Sequence, residues 1–271
     1  MEVRYKACIK FYNFLRENRV APLVVKLEVL RACVTNSLLY NCEAFGNGIP
    51  NGLEKTYNKL LRRTLNVRVN TPSLPMYIES GFLPIEALFL ARQLNFYKRY
   101  RDSAISSNTP RSRLFDRLMQ EPTSYLQHYM NLGAKYTSVA DIFKESAEEV
   151  KRKIRNCASK DQYKFKTYVE INPTLQKSPF IENLHPLSRD IIRFRLGSHV
   201  LPIETGRWSR TVRANRICSN CKVLGDERHA LFACSVIDRV ALELLNSMSE
   251  IWNSADIFTL VKRMKEAEML E

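Results

Sequence analysis

Hydrophobic residues recur along most of this chain at the three- to four-residue spacing of one helical face. The first such series follows Pro22 and comprises Leu23, Leu27, Leu30, Val34 and Leu38. A second amphipathic segment starts at Leu53, and Pro84 is placed as the first residue of a third helix that runs to about Arg101. The pattern predicts a mainly α protein, because no segment shows the alternation that is typical of a strand.

The later part of the chain repeats this helical pattern in shorter segments. Helices are predicted around 113–120, 124–132, 139–157, 188–196, 236–246 and 255–268. Prolines and a glycine mark 71–84 as a turn-rich connection, and the polar stretch at 102–110 is typical of an exposed loop. We therefore divide the chain into a helical bundle at 1–101, a helical connecting region at 102–185 and a helical C-terminal module at 186–271.

The chain is strongly basic, with 42 Lys and Arg against 28 Asp and Glu and a formal net charge of +14. A field of this sign attracts polyanions, and nucleic acid is the most common polyanion inside cells. An anionic membrane surface would also fit the charge, but no apolar run is long enough to cross a bilayer. The N-terminus also lacks the apolar stretch of a signal peptide. We predict RNA or DNA as the partner, with no membrane and no small-molecule substrate.

The seven cysteines are an odd number, which does not suit a framework of disulfides. Four of them are scattered among apolar residues, where a free thiol packs as a small hydrophobic group. These are Cys8, Cys33, Cys42 and Cys157. We predict an intracellular protein in a reducing compartment, and the basic run at 151–155 is compatible with the nucleus.

The other three cysteines form, with one histidine, the series Cys218-x2-Cys221-x7-His229-x4-Cys234. Two cysteines separated by two residues can bind one ion from a tight turn, and the following loop returns the chain to complete a tetrahedral site. Four protein ligands leave no coordination position for water or substrate, so the predicted Zn²⁺ is structural. The alternative is that these four residues lie close in sequence by chance.

An arginine-rich segment leads into this motif. Its cations are Arg189, Arg193, Arg195, Arg207, Arg210, Arg213 and Arg216. The planar guanidinium group matches the oxygens of a phosphate, and Trp208 has the aromatic face that stacks on unpaired bases. We predict that these residues contact nucleic acid, together with Arg62 and Arg63 of the second amphipathic segment. The alternative is a solvated helix face and a tryptophan that fills space beneath the zinc knuckle.

The sequence contains no recognised catalytic motif. It has no Gly-rich phosphate loop, no nucleophile elbow and no paired aspartates of the kind that hold two metal ions for nucleotidyl transfer. We predict that this chain performs no reaction by itself. An enzymatic alternative requires catalytic carboxylates from another chain.

Two blocks of the sequence resemble a known family of enzymes. The first block comprises Leu38-Leu39-Tyr40, Glu43, Phe45, Leu60-Leu61-Arg62-Arg63, Glu79-Ser80-Gly81, Leu83-Pro84-Ile85 and Arg92. The second comprises Ile203-Glu204-Thr205-Gly206-Arg207-Trp208, Arg216, Asp226-Glu227, His229 and Phe232. These blocks resemble the thumb and the C-terminal CCHC zinc-knuckle region of the reverse transcriptases of non-LTR (LINE-type) retrotransposons.

The resemblance implies a thumb-like helical bundle, which in that family holds the template–primer duplex, and a knuckle region that contacts template RNA or target DNA. The chain departs from the family at Asn41 and Phe45, where members often have Gly and Trp. It also has no counterpart of the catalytic palm, so the resemblance implies a truncated, non-catalytic fragment of a retroelement polymerase.

A second hypothesis is an inactive relic or a protein-interaction module. Its zinc would be purely structural, and the apolar helix at 23–39 would be an exposed surface for association.

Overall fold

The part of the chain that the structure describes is built mainly from helices, as the sequence predicts. This computed structural model describes residues 2–42, 48–105, 110, 113, 124–160, 163–235, 248–253 and 257–267. Its α-helices are α1 (Glu2–Glu17), α2 (Leu23–Val29), α3 (Asn36–Leu38), α4 (Leu53–Leu65), α5 (Ser73–Ser80), α6 (Ile85–Ile105), α7 (Ser124–Lys135), α8 (Val139–Ser159), α9 (Tyr163–Ile171), α10 (Ser188–Arg195), α11 (Pro202–Trp208), α12 (Glu227–Phe232), α13 (Met248–Asn253) and α14 (Ile257–Glu266). Short 3₁₀ helices lie at Pro179–Ile181 and Arg213–Asn215.

Several predicted helices are confirmed, and two predicted connections are wrong in part. The stretch at 102–110, predicted to be an exposed loop, is helical as far as Ile105, where α6 ends. The helices predicted at 124–132, 139–157 and 188–196 correspond to α7, α8 and α10. The segment at 71–84, predicted to be turn-rich, instead contains α5. Pro75 is tolerated there because it lies in the first turn of the helix, where its missing N–H would have no intrahelical partner. The helix predicted at 236–246, residues 114–120, Glu43 and Phe45 lie outside the described residues.

The apolar series that follows Pro22 forms one nearly continuous helical stretch, in which a π-helix at Leu30–Thr35 connects α2 and α3. Its five apolar positions are all buried, with exposed fractions of at most 6%. The hypothesis of an exposed apolar face at 23–39 is therefore corrected on this point, because that face lies within the protein.

Contacts within the chain group it into two compact units. The first comprises Met1–Arg19, Glu28–Leu60 and Leu83–Val150, and the second comprises Val20–Leu27, Leu61–Phe82 and Lys151–Glu271. This grouping combines segments that are distant in sequence, whereas the three predicted regions follow the linear chain. The division at 101 and 185 stays a prediction.

The core of the first unit lies between α6 and the helices α7 and α8. Its buried cluster comprises Ala87, Leu94, Leu132, Tyr136 and Ile142. Tyr57 of α4 is fully buried, and its hydroxyl donates a hydrogen bond to the carbonyl oxygen of Leu83 at 3.0 Å. This cluster forms the interior between the three helices.

A buried ion pair lies in the core of the second unit. The Glu79 carboxylate on α5 is fully buried and accepts two hydrogen bonds from the Arg195 guanidinium of α10, at 2.8 and 3.0 Å. Tyr168 of α9 donates to the same carboxylate at 3.0 Å, and Asn172 donates at 3.4 Å. Burial raises the pKa of the Tyr168 hydroxyl well above its usual value, so it remains a donor. This network ties three helices together.

No single helix among the described residues is long and apolar enough to cross a membrane. Helices α5 and α6 reach the required length and hydropathy only when they are taken together, as a bent pair.

Candidate metal centre

A tight turn places the first two cysteines of the motif. Ile217 and Leu224 form an isolated antiparallel bridge, and the Cys218 N–H donates to the carbonyl of Val223 at 2.7 Å. The Lys222 N–H donates back to the carbonyl of Cys218 at 3.0 Å, and Lys222 adopts a left-handed conformation with φ of 58°. This turn directs the thiol of Cys218 and the thiol of Cys221 to the same side of the turn.

A short helix supplies the histidine. Asp226 is the N-cap of α12, and its carboxylate accepts a hydrogen bond from the His229 N–H at 2.8 Å. At the other end of α12 the His229 carbonyl accepts from the N–H groups of Ala233 and Cys234, both at 2.8 Å. His229 and Cys234 are therefore held by the cap and by the end of a single helix.

The four predicted ligands converge on one point. One ligand atom from each of Cys218, Cys221, His229 and Cys234 lies within 4.8 Å of all the others. The Sγ atoms of Cys218 and Cys234 are 4.0 Å apart. Two sulfurs bound at about 2.3 Å to a tetrahedral ion would lie about 3.8 Å apart, which is close to this distance. The cluster can hold a metal ion.

The environment of the ligand atoms also fits a metal. Both ring nitrogens of His229 are buried, and neither has a hydrogen-bond partner among the described residues. A buried polar atom without a partner is unfavourable, and a coordinated ion would provide one. Hydrogen bonds from Ser235 lower the pKa of the Cys221 thiol, which favours the thiolate that binds metals.

A second buried pair lies beside the centre. The Glu227 carboxylate on α12 lies 3.0 Å from Nε2 of His199, and both side chains are buried. The sequence identifies Glu227 only as a residue near the histidine ligand. Its partner is distant in sequence and could not be identified from spacing.

Three of the predicted nucleic-acid contacts have partners within the protein. Arg195 is paired with Glu79, and Arg193 is buried with a nitrogen 3.7 Å from an Asp190 oxygen. Burial leaves these two side chains no surface for a polyanion, so we exclude them from the contact set. Arg207 is half-buried and pairs with Glu204 at 2.8 Å.

Arg216 is also hydrogen-bonded within the protein. Its guanidinium donates to the carbonyl oxygens of Thr211 at 2.9 Å and Ile203 at 3.0 Å. A Cβ on Gly206 would lie 2.5 Å from the Cγ of Arg216, so glycine is required for this close approach. Arg216 therefore fastens the loop that precedes the metal centre to α11.

The remaining predicted contacts are accessible to solvent. Arg210 and Arg213 are exposed in the loop between α11 and the metal centre, and Arg63 is exposed on α4. Arg189 is half-buried, as is Arg62, whose Nε donates to the carbonyl of Thr71 at 2.9 Å. The structure therefore brings only part of the predicted arginine set to the surface.

Trp208 has a neighbour that the sequence does not reveal. The side chain of Trp208 is 40% exposed at the end of α11. The guanidinium carbon of Arg68 lies 3.6 Å from the centre of its ring, in the range of a cation–π contact. The two residues are far apart in sequence, and no motif connects them.

Comparison of this chain with known protein families, with curated proteins and with solved structures finds no match.

Proposed function

We propose that this protein binds RNA or DNA through exposed arginines on a module held together by one zinc ion. The module comprises residues 201–235. The observation that carries the proposal is the convergence of three thiols and an imidazole directly after a loop that exposes Arg210 and Arg213.

The donor set favours zinc as the ion. Three sulfurs and one imidazole nitrogen are the ligands of many structural zinc sites, and softer thiolate ligands disfavour magnesium and calcium. Four protein ligands complete a tetrahedral shell. In this proposal the ion stabilises the module and activates no water.

The charge of the chain supports a polyanionic partner. The net charge of +14 attracts phosphates over a distance set by the salt concentration. Exposed guanidinium groups bind phosphate oxygens through charge-assisted hydrogen bonds. The contacts of Arg216 fix the loop that carries Arg210 and Arg213, so less conformational entropy is lost when these residues bind.

We also propose that the chain is a non-catalytic relative of the C-terminal part of non-LTR retrotransposon reverse transcriptases. The sequence blocks described above support this relationship, and the Cys218–Cys234 cluster has the composition of the knuckle in that family. The proposal assigns nucleic-acid binding to this chain and no polymerisation.

Salt dependence tests the proposed contacts. The Arg210→Ala/Arg213→Ala variant should bind an oligonucleotide more weakly at low salt, because two phosphate contacts are lost. Each phosphate contact contributes about 0.7 to the slope of log affinity against log salt on a single strand and about 0.9 on a duplex. The loss of two contacts should therefore reduce the magnitude of this slope by about 1.4 on a single strand or about 1.8 on a duplex. Fluorescence anisotropy at a series of salt concentrations measures both quantities.

A charge-matched control separates specific contacts from the overall charge. Arg16→Ala/Arg99→Ala removes two exposed cations from the first unit and should leave the slope nearly unchanged. Equal slopes for the two double variants would contradict the assignment of Arg210 and Arg213. An absence of measurable binding by the unaltered protein would refute the proposed function and favour a protein-interaction module.

A further inference from the structure

The guanidinium group of Arg68 lies against the partly exposed indole ring of Trp208. Arg68 lies in the turn after α4, and its backbone N–H donates to the Ser198 hydroxyl at 3.0 Å. Trp208 lies at the end of α11, and Arg68 covers its ring at 3.6 Å. Both residues belong to the second unit. One face of the indole is therefore occupied by a cation that the fold anchors through its backbone.

Part of the Trp208 side chain is open to solvent. Its exposed fraction of 40% is unusual for a side chain with so much apolar area. Three further apolar side chains are exposed in the same stretch of chain, namely Val212, Ile217 and Val223, with exposed fractions of 69%, 46% and 49%. This stretch also carries Arg210 and Arg213, so it combines apolar and cationic surface. That combination suits a ligand with both flat apolar faces and negative charge.

We infer that Trp208 stacks on an unpaired base of single-stranded nucleic acid and that Arg68 is the residue that positions it. This inference rests on the proposed function and identifies its substrate class. In a duplex the faces of the bases are covered by their neighbours, so an indole face requires an unpaired base.

The role of Arg68 follows from the geometry of the stack. The guanidinium group is planar and lies against the indole, which restricts rotation of the tryptophan side chain before the ligand arrives. A side chain that is already ordered loses less conformational entropy on binding. Arg68 therefore acts through Trp208, and its planar shape matters as well as its charge.

Binding to matched oligomers tests this inference on the full, zinc-loaded chain. The Trp252→Phe background leaves Trp208 as the only tryptophan, since the chain has 2. The probes are an oligothymidine of about 12 nucleotides, an abasic deoxyribose-phosphate oligomer of the same length and the corresponding duplex. The oligothymidine should quench the emission of Trp208 and bind roughly 5- to 150-fold more tightly than the abasic oligomer, as expected for one stacked base.

Substitutions at position 68 separate positioning from charge. Arg68→Ala should lower the ratio of thymidine to abasic affinity by roughly 2- to 13-fold, because the side chain of Trp208 must then be ordered when the ligand binds. Arg68→Lys keeps the charge but not the planar stack, and should also lower the ratio. Arg16→Ala removes an exposed cation from α1 and should preserve the ratio. Metal content measured for each variant establishes that the module is intact.

Three results would overturn the inference. If Arg68→Lys has the same ratio of thymidine to abasic affinity as the unaltered chain, Arg68 acts by charge alone. Equal, salt-dependent binding of the thymidine and abasic oligomers by the unaltered chain would exclude base stacking and leave the proposed phosphate binding in place. Failure to bind any of the three probes would refute the proposed function as well.

Discussion

Replacing Cys234 with serine is expected to abolish binding of the proposed zinc ion and to unfold the segment at 217–235. Cys234 is fully buried, and its Sγ lies 4.0 Å from that of Cys218. A serine hydroxyl is a much poorer ligand than a thiolate, so the tetrahedral site loses one corner. Structural zinc in isolated peptides contributes about 10–16 kcal/mol of apparent binding free energy at neutral pH. Losing a substantial part of this binding free energy should exceed the stability that so short a segment has without the metal.

Elemental analysis and hydrogen exchange measure this result. The metal content of Cys234→Ser should fall from one ion per chain towards zero, and the amides at 217–235 should lose protection. The Cys33→Ser variant is the matched control, because Cys33 is exposed and lies far from the motif in sequence. An unchanged metal content in Cys234→Ser would contradict the proposed ligand set.

The second large effect is expected from Arg195→Ala, which should lower the free energy of unfolding by about 3–5 kcal/mol. The substitution leaves the Glu79 carboxylate buried without its cationic partner. Tyr168 and Asn172 would still donate to that carboxylate, but neither carries a charge. Chemical denaturation followed by circular dichroism measures the change.

Two comparisons make this prediction specific. Lys177→Ala removes one partner of the exposed pair Lys177–Glu182 and should change the free energy of unfolding by less than about 1 kcal/mol. The double variant Glu79→Leu/Arg195→Met should recover much of the stability lost in Arg195→Ala, because no charge then remains buried alone. If Arg195→Ala lowers the free energy of unfolding no more than Lys177→Ala does, the prediction for the buried pair Arg195–Glu79 is wrong.

The candidate metal centre could be predicted from sequence because its geometry is local. The coordination shell constrains the spacing of Cys218, Cys221, His229 and Cys234, so the spacing alone identifies the four residues that the structure brings together. Helices with a strong apolar period were predictable for a similar reason, since the spacing of buried positions reflects the helical repeat. The helix α4 begins at Leu53, where the pattern predicts it.

The surroundings of the centre depend on pairs of residues that are distant in sequence. A count of arginines in the segment 189–216 indicates positive charge, but it does not reveal that Arg195 faces Glu79 or that Arg216 donates to a carbonyl of α11. The stack of Arg68 on Trp208 is of the same kind. Such partners follow from tertiary packing, which a single sequence does not display.

The metal content and coordination of the purified, reduced protein distinguish a structural zinc site from a cluster of free thiols. We expect one zinc ion per chain, with X-ray absorption showing three sulfurs at about 2.3 Å and one nitrogen at about 2.0–2.1 Å. We also expect a strong chelator to unfold the segment at 217–235. Protein that contains no bound zinc, and whose circular dichroism a chelator leaves unchanged, would contradict the proposed zinc site.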